Sequence, residues 1–537
     1  MLRKTNRGIT LVALVITIVI LLILAGISIS TLTNTGIFQR AKDAKQKSEN
    51  SQKEEDKLIS EYEKEIVKQD TEGIWDGNVN KPDLMSVMMA IKFIEPTDST
   101  EGKDETVSDS SKNDWYNYSE KKWANAKTND GSMWVWIPRY AYKINKSNQT
   151  FDVIFLVGTT DNYYDKDGKL QTAKWQTSET DIPDATKDYV VHPAFTNESN
   201  IGYVNGGWKK ELTGIWVSKF EAGYFDKNLV DADKEKYSST VNYSQTYGYT
   251  TAGKNDEARN YLDGIYGAKT TAIKYPTFQG GKYSMNYINH NDAFNISKAI
   301  AGDSNNVYEL KSNSTDSHLM KNSEWGAVAY LGQSQYGLYN KNIRINNVNM
   351  GDNSNFVYAM TGYAAKEEDA ENTINANAIA WNQFGGELAS TTGTIYGIYD
   401  MSGGTWERSA AIANNGNEKL NTYGNAIMNA LNSEKSTEYV TVYPNGETSG
   451  QSLDDASKSN YTANTKIYGD AIRETSTAGL GQTSWYSDYS YFVGTDNPFF
   501  VHGGTSWHTS VAGIFCFFRA DGNSSYTVGF RPVLVAQ

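Results

Sequence analysis

The C-terminal segment FFVHGGTSWHTSVAGIFCFFRADG, residues 499–522, contains the only cysteine of the 537-residue chain and a run of aromatic side chains. In its second half, AGIFCFFRADG (512–522), apolar residues occupy both alternating sets of positions, so a strand here would be apolar on both faces. Three interpretations follow from this pattern. The segment is a central strand buried on both faces, a catalytic strand that carries a thiol, or an aromatic surface that binds a ligand.

The composition favours a loop-rich globular domain that presents aromatic side chains to partners, because the chain has 36 Tyr, 13 Trp and 45 Gly but 9 Pro. The net charge is −13, and no cluster of Lys and Arg is interleaved with aromatic residues. We therefore expect no nucleic-acid partner. A single cysteine excludes an intrachain disulfide framework and a zinc site with several cysteine ligands.

The N-terminus predicts a membrane anchor. A basic leader, MLRKTNRG (1–8), precedes the apolar segment 9–30, which is long enough to cross a hydrocarbon core of about 30 Å. The positive charges of the leader predict a cytoplasmic N-terminus and an external C-terminal domain. The expected localisation is therefore the cell membrane, as a single-pass protein displayed at the cell surface, with association with a pilus left open.

The leader ending in Gly8, followed by ITLVALVITIVILLILAG, resembles the signal of type IV prepilins. The resemblance implies cleavage after Gly8, which would make Ile9 the new N-terminus. Ala13 stands where that family usually has Glu, so the resemblance favours processing and tethering over polymerisation into a pilus. Residues 31–70 contain apolar side chains at helical spacing among charged ones and predict a helical stalk. The stalk would be either a solvated helix or a coiled coil through which the chain oligomerises.

The rest of the chain predicts few helices, many short strands and long loops. Residues 71–130 form a linker and the start of the ectodomain, with a flexible acidic loop. Residues 131–537 form the main domain, with insertions near 225–315 and 410–470. Apolar runs bounded by turn residues predict strands at MWVWIPRYAYKI (133–144), FDVIFLVG (151–158) and GIWVSKFEAGY (214–224).

Four segments occur in a characteristic order: 214–224, HLMKNSEWGAVAYLG (318–332), YGIYDMSGGTWERS (396–409) and 499–535, which ends in VGFRPVLV. Together they resemble the fold shared by the formylglycine-generating enzyme and the C-type-lectin proteins that retroelements diversify. The resemblance covers roughly residues 131–537. It implies an α+β, C-type-lectin-like domain of the formylglycine-generating subtype, preceded by the long N-terminal transmembrane and stalk helix.

Several residues are expected to form the scaffold of this domain. A partly buried Arg531 would need a carboxylate partner, for which Glu407 and Glu221 are the candidates. The other scaffold residues are Trp406, Gly503, Gly504, Phe515, Phe517 and Phe530.

The residues do not favour catalysis. The formylglycine-generating enzyme uses two C-terminal cysteines; Cys516 lies near the second, but the region of the first contains Trp507 and His508. The five histidines form no metal-binding motif. We therefore predict no enzyme, no catalytic or metal-ligating residue and no cofactor, with a structural calcium ion left open.

In the diversified lectins, altered residues alternate with scaffold residues and form the ligand site. The resemblance implies that Phe515 and Phe517 point inward here, while a second set of side chains is displayed. The predicted ligand-binding set is Trp507, His508, Thr509, Val511, Ile514, Cys516, Phe518, Arg519, Ala520, Asp521, Ser525, Tyr526 and Thr527. The expected function is binding or adhesion to a protein or glycan on another cell or a phage. A minor pilin with a lectin-like tip and an oxidase are the alternatives.

Overall fold

The computed structural model describes residues 18–22, 47, 79–110, 114–175, 183–197, 206–223, 276–282, 284–286, 288–302, 307–348, 359–366, 378–434, 437–525 and 527–537. The chain divides into two compact units, Met1–Ile66 and Val67–Gln537, and the elements below belong to the second.

The strands in the described residues are short and lie throughout the second unit. They are β1 (Met89–Ile94), β2 (Lys103–Thr106), β3 (Asn125–Lys127), β4 (Met133–Pro138), β5 (Tyr140–Asn145), β6 (Thr150–Phe155), β7 (Asn162–Tyr164), β8 (Leu170–Thr172), β9 (Val190–Val191), β10 (Gly214–Ser218), β11 (Thr315–Leu319), β12 (Tyr363–Ala364), β13 (Ile379–Ala380), β14 (Trp406–Asn414), β15 (Thr441–Pro444), β16 (Leu480–Gly481), β17 (Ser490–Tyr491), β18 (Phe499–Gly503), β19 (Gly513–Ala520), β20 (Val528–Phe530) and β21 (Pro532–Ala536). The helices in the described residues of this unit are α1 (His290–Lys298), α2 (Asn322–Gly332), α3 (Glu418–Asn429) and α4 (Leu453–Ala463), besides single turns of 3-10 and π helix.

The first large sheet is antiparallel and has the strand order β11-β21-β10-β4-β3-β1-β2. Its strands β4 and β10 are buried along their whole length, as their continuous apolar runs MWVWIP and GIWVS lead us to expect. The C-terminal strand β21 lies between β10 and β11. The end of the chain is therefore an internal part of this sheet.

The second large sheet contains the hairpin β18–β19. Its strand order is β15-β14-β18-β19-β17-β16, with β20 paired to β14. The strand β19 lies between β18, which is antiparallel to it, and β17, which is parallel to it. Elements of the predicted insertion 410–470 belong to this part of the fold, because β15 pairs with β14 and both α3 and α4 lie within that range. A smaller sheet, β6-β5-β9, and two hairpins complete the described strands.

A single residue, Arg531, connects the two large sheets along the chain. Arg531 follows β20 of the second sheet and precedes β21 of the first. Its fully buried guanidinium forms a two-point ion pair with Glu407, at 2.8 and 2.6 Å. The same group donates to the carbonyl oxygens of Ser218 and Tyr399, both at 2.8 Å. Arg531 thus joins β10 of the first sheet to β14 of the second.

The second candidate partner of Arg531 has a different role. Glu221 accepts hydrogen bonds from the Ser284 hydroxyl and from the backbone and hydroxyl of Thr405. Burial raises the pKa of Glu221 well above its usual value, and the nearby carboxylate of Asp400 adds to this effect. The two carboxylates that the sequence offered to Arg531 therefore lie in one buried region, and Glu407 forms the ion pair.

Helix α2 lies in the core, and all of its residues are buried. The indole of Trp325 donates to the carbonyl of Ile514 at 2.7 Å and stacks on the ring of His502, with the centroids 4.8 Å apart. Gly326 allows close packing, because a Cβ atom there would lie 2.2 Å from the carbonyl oxygen of Gly469. The helix therefore packs against both strands of the β18–β19 hairpin, through Ile514 of β19 and His502 of β18.

The predicted fold class requires correction. The described residues form mixed sheets and loops with few helices and no long apolar helix, in place of an α+β lectin-like domain behind a long transmembrane and stalk helix. Of the segment 9–30 the structure describes residues 18–22, which are helical, and of the stalk 31–70 it describes Lys47. The remainder of both segments lies outside the described residues, as do Gly8 and Ile9 of the predicted processing site.

Within the part of the chain that the structure describes, no helix has the length and apolar character needed to cross a membrane. This finding contradicts the predicted single-pass localisation in the cell membrane. The expectation rested on hydropathy, whereas the described helical stretch of that segment is five residues and about 7.5 Å long.

We expect Arg531→Met to destabilise the protein by about 3–5 kcal/mol, because the buried Glu407 carboxylate would lose its counter-charge. The double variant Arg531→Met, Glu407→Gln should recover part of this loss, because it removes the unpaired Glu407 charge as well. Urea unfolding of the full chain measures both effects. A matched control is Lys187→Met, whose ion pair with Asp184 lies at the surface and whose loss should leave the unfolding midpoint unchanged. A midpoint of Arg531→Met equal to that of the control would contradict this role.

Candidate functional site: the surface around Trp507

The loop between β18 and β19 is shaped by two glycines. Gly503 and Gly504 have φ angles of 86° and 80°, a region that side chains with a Cβ atom rarely adopt. A Cβ atom at Gly504 would also lie 2.6 Å from that of Ala512, where the loop closes. Beyond the glycines, the backbone N–H of Ser506 donates to the carbonyl of Gly404 at 2.9 Å, so the loop is held against the 396–409 segment.

A side-chain hydrogen bond closes the exposed turn of this loop. The hydroxyl of Thr505 lies 2.6 Å from Nδ1 of His508, and the Thr505 backbone N–H donates to the same nitrogen at 3.1 Å. Burial lowers the pKa of His508, so the ring is neutral near pH 7 and Nδ1 is its acceptor. The turn presents Trp507, whose side chain is 42% exposed.

The strand β19 is buried on both faces up to Phe517 and becomes half-buried from Phe518 onward. Phe517 packs in a core cluster with Phe492 and Phe500 on one side. Cys516 packs on the other side with Trp406, Val501 and Val528.

This burial corrects two of the predicted ligand-binding residues. Ile514 and Cys516 are fully buried, because another layer of side chains covers the face on which alternation places them. Burial also raises the pKa of the Cys516 thiol well above its usual value, and the neighbouring carboxyl of Asp488 adds to this effect. A protonated, covered thiol is a poor nucleophile and a poor metal ligand.

The other predicted residues lie at or near the surface. The half-buried ones are His508, Thr509, Val511, Phe518, Arg519, Ala520, Asp521, Ser525 and Thr527, while Trp507 is exposed. Tyr526 lies outside the described residues. The scaffold residues Trp406, Glu407, Gly503, Gly504, Phe515, Phe517, Phe530 and Arg531 are all buried.

Phe518 lies at the centre of a group of rings. Its centroid lies 5.5 Å from that of Trp406, 5.2 Å from that of Tyr491 and 6.0 Å from that of Tyr489. Trp406 in turn meets the ring of His508 edge-on at 5.1 Å. Rings in such edge-on and offset arrangements contribute about 0.5–1.5 kcal/mol each beyond the area that they bury. Phe518 is therefore partly a packing residue, and it links the Trp507 loop to Tyr491 of β17 and to Tyr489, which precedes that strand.

Tyr489 and Tyr491 were not among the predicted site residues. Their signal in the sequence is the alternation Tyr-Ser-Tyr (489–491) within SWYSDYSYF (484–492), which indicates a short strand with both tyrosines on one face. We call the set Trp507, His508, Phe518, Arg519, Tyr489 and Tyr491 the Trp507 surface.

Arg519 supplies the positive charge of this surface. Its guanidinium carbon lies 4.1 Å from the centroid of the Tyr491 ring and 5.9 Å from that of Phe518. The Tyr491 hydroxyl donates to Asp454, which holds the ring in place. Asp521, which directly follows the end of β19, lies 4.0 Å from the Lys419 ammonium and accepts a hydrogen bond from the backbone N–H of Asn523.

Among the described residues, no group of three or more His, Cys, Asp or Glu side chains could hold a metal ion. That the protein has no cofactor stays a prediction, and a structural calcium ion stays open.

A comparison with models of known protein families gives no match, and a comparison with curated proteins gives none either. The resemblance to the formylglycine-generating and diversified-lectin group stays a prediction from the sequence.

Beneath the loop, Asp488 is a buried carboxyl with one clear partner. One oxygen accepts from the backbone N–H of Phe515 at 2.9 Å, and the other is buried without a hydrogen bond. A Cβ atom at Gly513 would lie 2.1 Å from this carboxyl, so glycine is required where β19 begins. Burial raises the pKa of Asp488 to about 8, against the opposing effect of the Phe515 N–H.

This shift predicts a pH-dependent stability. Because the folded pKa is about 8 and the ordinary value is 3.8, the contribution of Asp488 is fully present below pH 3.8 and is lost as the pH rises to about 8. The maximal slope for one proton is about 1.4 kcal/mol per pH unit. Asp488→Asn keeps the size of the side chain and an acceptor oxygen, so it should remove this part of the slope and stabilise the protein near pH 8. The free energy of urea unfolding across this range measures it, and parallel curves for the two proteins would contradict the assignment.

Proposed function

We propose that this chain is a non-covalent ligand-binding protein and that the Trp507 surface is its recognition site. The observation that carries the proposal is the exposure of Trp507 beside a partly covered group of aromatic rings. Burying a large aromatic side chain stabilises a complex by about 1.5–3 kcal/mol, so an exposed tryptophan is a strong anchor for a partner.

The construction of the surface also supports this function. Trp507 follows two glycines with positive φ angles, His508 is bound by Thr505, and Phe518 packs on three other rings. Side chains that are already ordered lose little conformational entropy when a ligand binds. A rigid support beneath an exposed anchor is therefore the arrangement that a binding site requires.

The alternatives have less support. An oxidase that uses Cys516 would need an accessible thiolate, and this thiol is buried and protonated. The minor-pilin alternative depends on Gly8 and Ile9, which lie outside the described residues. Adhesion to another cell or a phage is one form of the proposed binding function.

The direct test is binding of the full chain to a fixed panel of short synthetic peptides and defined oligosaccharides. We expect at least one class to bind, and Trp507→Ala to weaken that binding by about tenfold or more. Phe384→Ala is the control, because Phe384 is 58% exposed in the segment after β13. Thermal unfolding of both variants should match the wild type. A panel without binders, or equal binding by Trp507→Ala, would overturn the proposal.

The hypothesis that the surface is diversified makes a separate prediction. Substitutions among natural copies of the gene should concentrate in codons 508–528 and spare 514–517, because those four side chains are buried. Amplicon sequencing of the 3′ end of the gene in a natural population measures this. A uniform spread of substitutions, or frequent changes at the buried positions, would argue against diversification while leaving ligand binding open.

A further inference from the structure

We infer that the Trp507 surface binds a peptide segment of a partner protein and that Arg519 binds a carboxylate group of this peptide. This inference rests on the proposed function and adds the chemical class of the ligand. It is carried by the position of the Arg519 guanidinium, which aromatic rings orient and which has no carboxylate partner among the described residues.

The guanidinium of Arg519 has no carboxylate partner within the described part of the chain. No Asp or Glu oxygen there lies within 4.0 Å of its nitrogens. The Nε atom of Arg519 is buried and donates no hydrogen bond. Neither terminal nitrogen is both buried and without a hydrogen-bond partner. The group is held by the face of Tyr491, whose hydroxyl is bound to Asp454. A planar cation in a defined position is suited to two parallel hydrogen bonds to a carboxylate.

Two other arginines of the described residues have carboxylate partners, whereas Arg344 and Arg408 bind carbonyl oxygens instead. Arg531 binds Glu407, and Arg139 binds Asp161 and Glu211, each at 2.6 Å. Arg473 is the closest comparison, because it lies over the ring of Tyr461 at 3.6 Å and also has unpartnered nitrogens. Burial raises the pKa of the nearby Asp470 carboxyl, and the charge of Arg473 acts against this rise. Arg519 also lies against a tyrosine ring, but it belongs to the Trp507 surface, where its charge can interact with a ligand.

The neighbouring side chains favour a peptide with few charges. Trp, Tyr and Arg are the residues that most often carry the binding energy at protein–protein interfaces, and all three occur in the Trp507 surface. The chain has a net charge of −13, which repels a highly acidic macromolecule at long range. A segment with one carboxylate among apolar or aromatic residues avoids this repulsion and matches the rings around Arg519.

The test uses the full chain and pairs of short synthetic peptides that differ by a single change of Asp to Asn or Glu to Gln. We expect the wild type to bind the acidic member of a pair about tenfold more tightly than the amide, since hydrogen bonds between charged groups are roughly twice as strong as neutral ones. Arg519→Gln should abolish this preference, and Arg519→Lys should restore it in part. Arg473→Gln is the matched control and should keep the preference, with thermal unfolding recorded for every variant.

The outcomes separate this inference from the proposed function. Binding that depends on Trp507 but shows no preference for the acidic peptides would overturn the inference and leave the proposed function intact. Loss of all peptide and oligosaccharide binding would overturn both. Tight binding of sugar acids in place of peptides would support the carboxylate and overturn the peptide. The preference of the wild type alone remains decisive if an Arg519 variant fails to fold.

Discussion

The buried ion pair between Arg531 and Glu407 is the interaction on which the second unit depends. It lies where the chain leaves β20 of one large sheet and enters β21 of the other, and it also binds the carbonyls of Ser218 and Tyr399. A charge in this place is costly unless it is paired and hydrogen-bonded, and here four hydrogen bonds, two of them to the Glu407 carboxylate, occupy the guanidinium. The geometry of the two sheets must therefore be reached before the pair can form, which makes their arrangement cooperative.

The Trp507 surface depends on this framework through the hairpin β18–β19. The base of the hairpin is fixed by Trp325 of the buried helix α2, which binds the Ile514 carbonyl and stacks on His502. Its loop is fixed by the contact between Ser506 and Gly404, close to Glu407 in the sequence. The position of the exposed Trp507 is thus determined mainly by these buried interactions, and less by the loop itself.

The surface and the core share the same strand. Residues 514–517 of β19 are buried on both faces, and the next three residues are half-buried. The interpretation as a buried strand therefore holds for one part of the opening segment, and ligand binding is proposed for another part. The first part is a buried strand, and the second part contributes Phe518 and Arg519 to the proposed site. The buried carboxyl of Asp488, one oxygen of which has no hydrogen bond, shows that this order is obtained at some cost in stability near neutral pH.

The sequence by itself determined the features that depend on neighbours along the chain. Continuous apolar runs located strands such as β4, β10 and β21, and the glycines at 503 and 504 marked the turn. The pairing of Arg531 with a carboxylate could also be predicted, since an opposite charge offsets much of the cost of burying a guanidinium. Hydropathy predicted a membrane helix at 9–30, which the described residues do not support.

Only the tertiary structure decided which faces are covered. Alternation places Cys516 and Phe518 on one face of β19, but Trp406, Val501 and Val528 arrive from other strands and bury the first of these residues. Tyr489 and Tyr491 join the surface because β17 pairs with β19, and Asp488 lies beneath it for the same reason. Periodicity specifies which side chains share a face, whereas exposure depends on what packs against that face from distant parts of the chain.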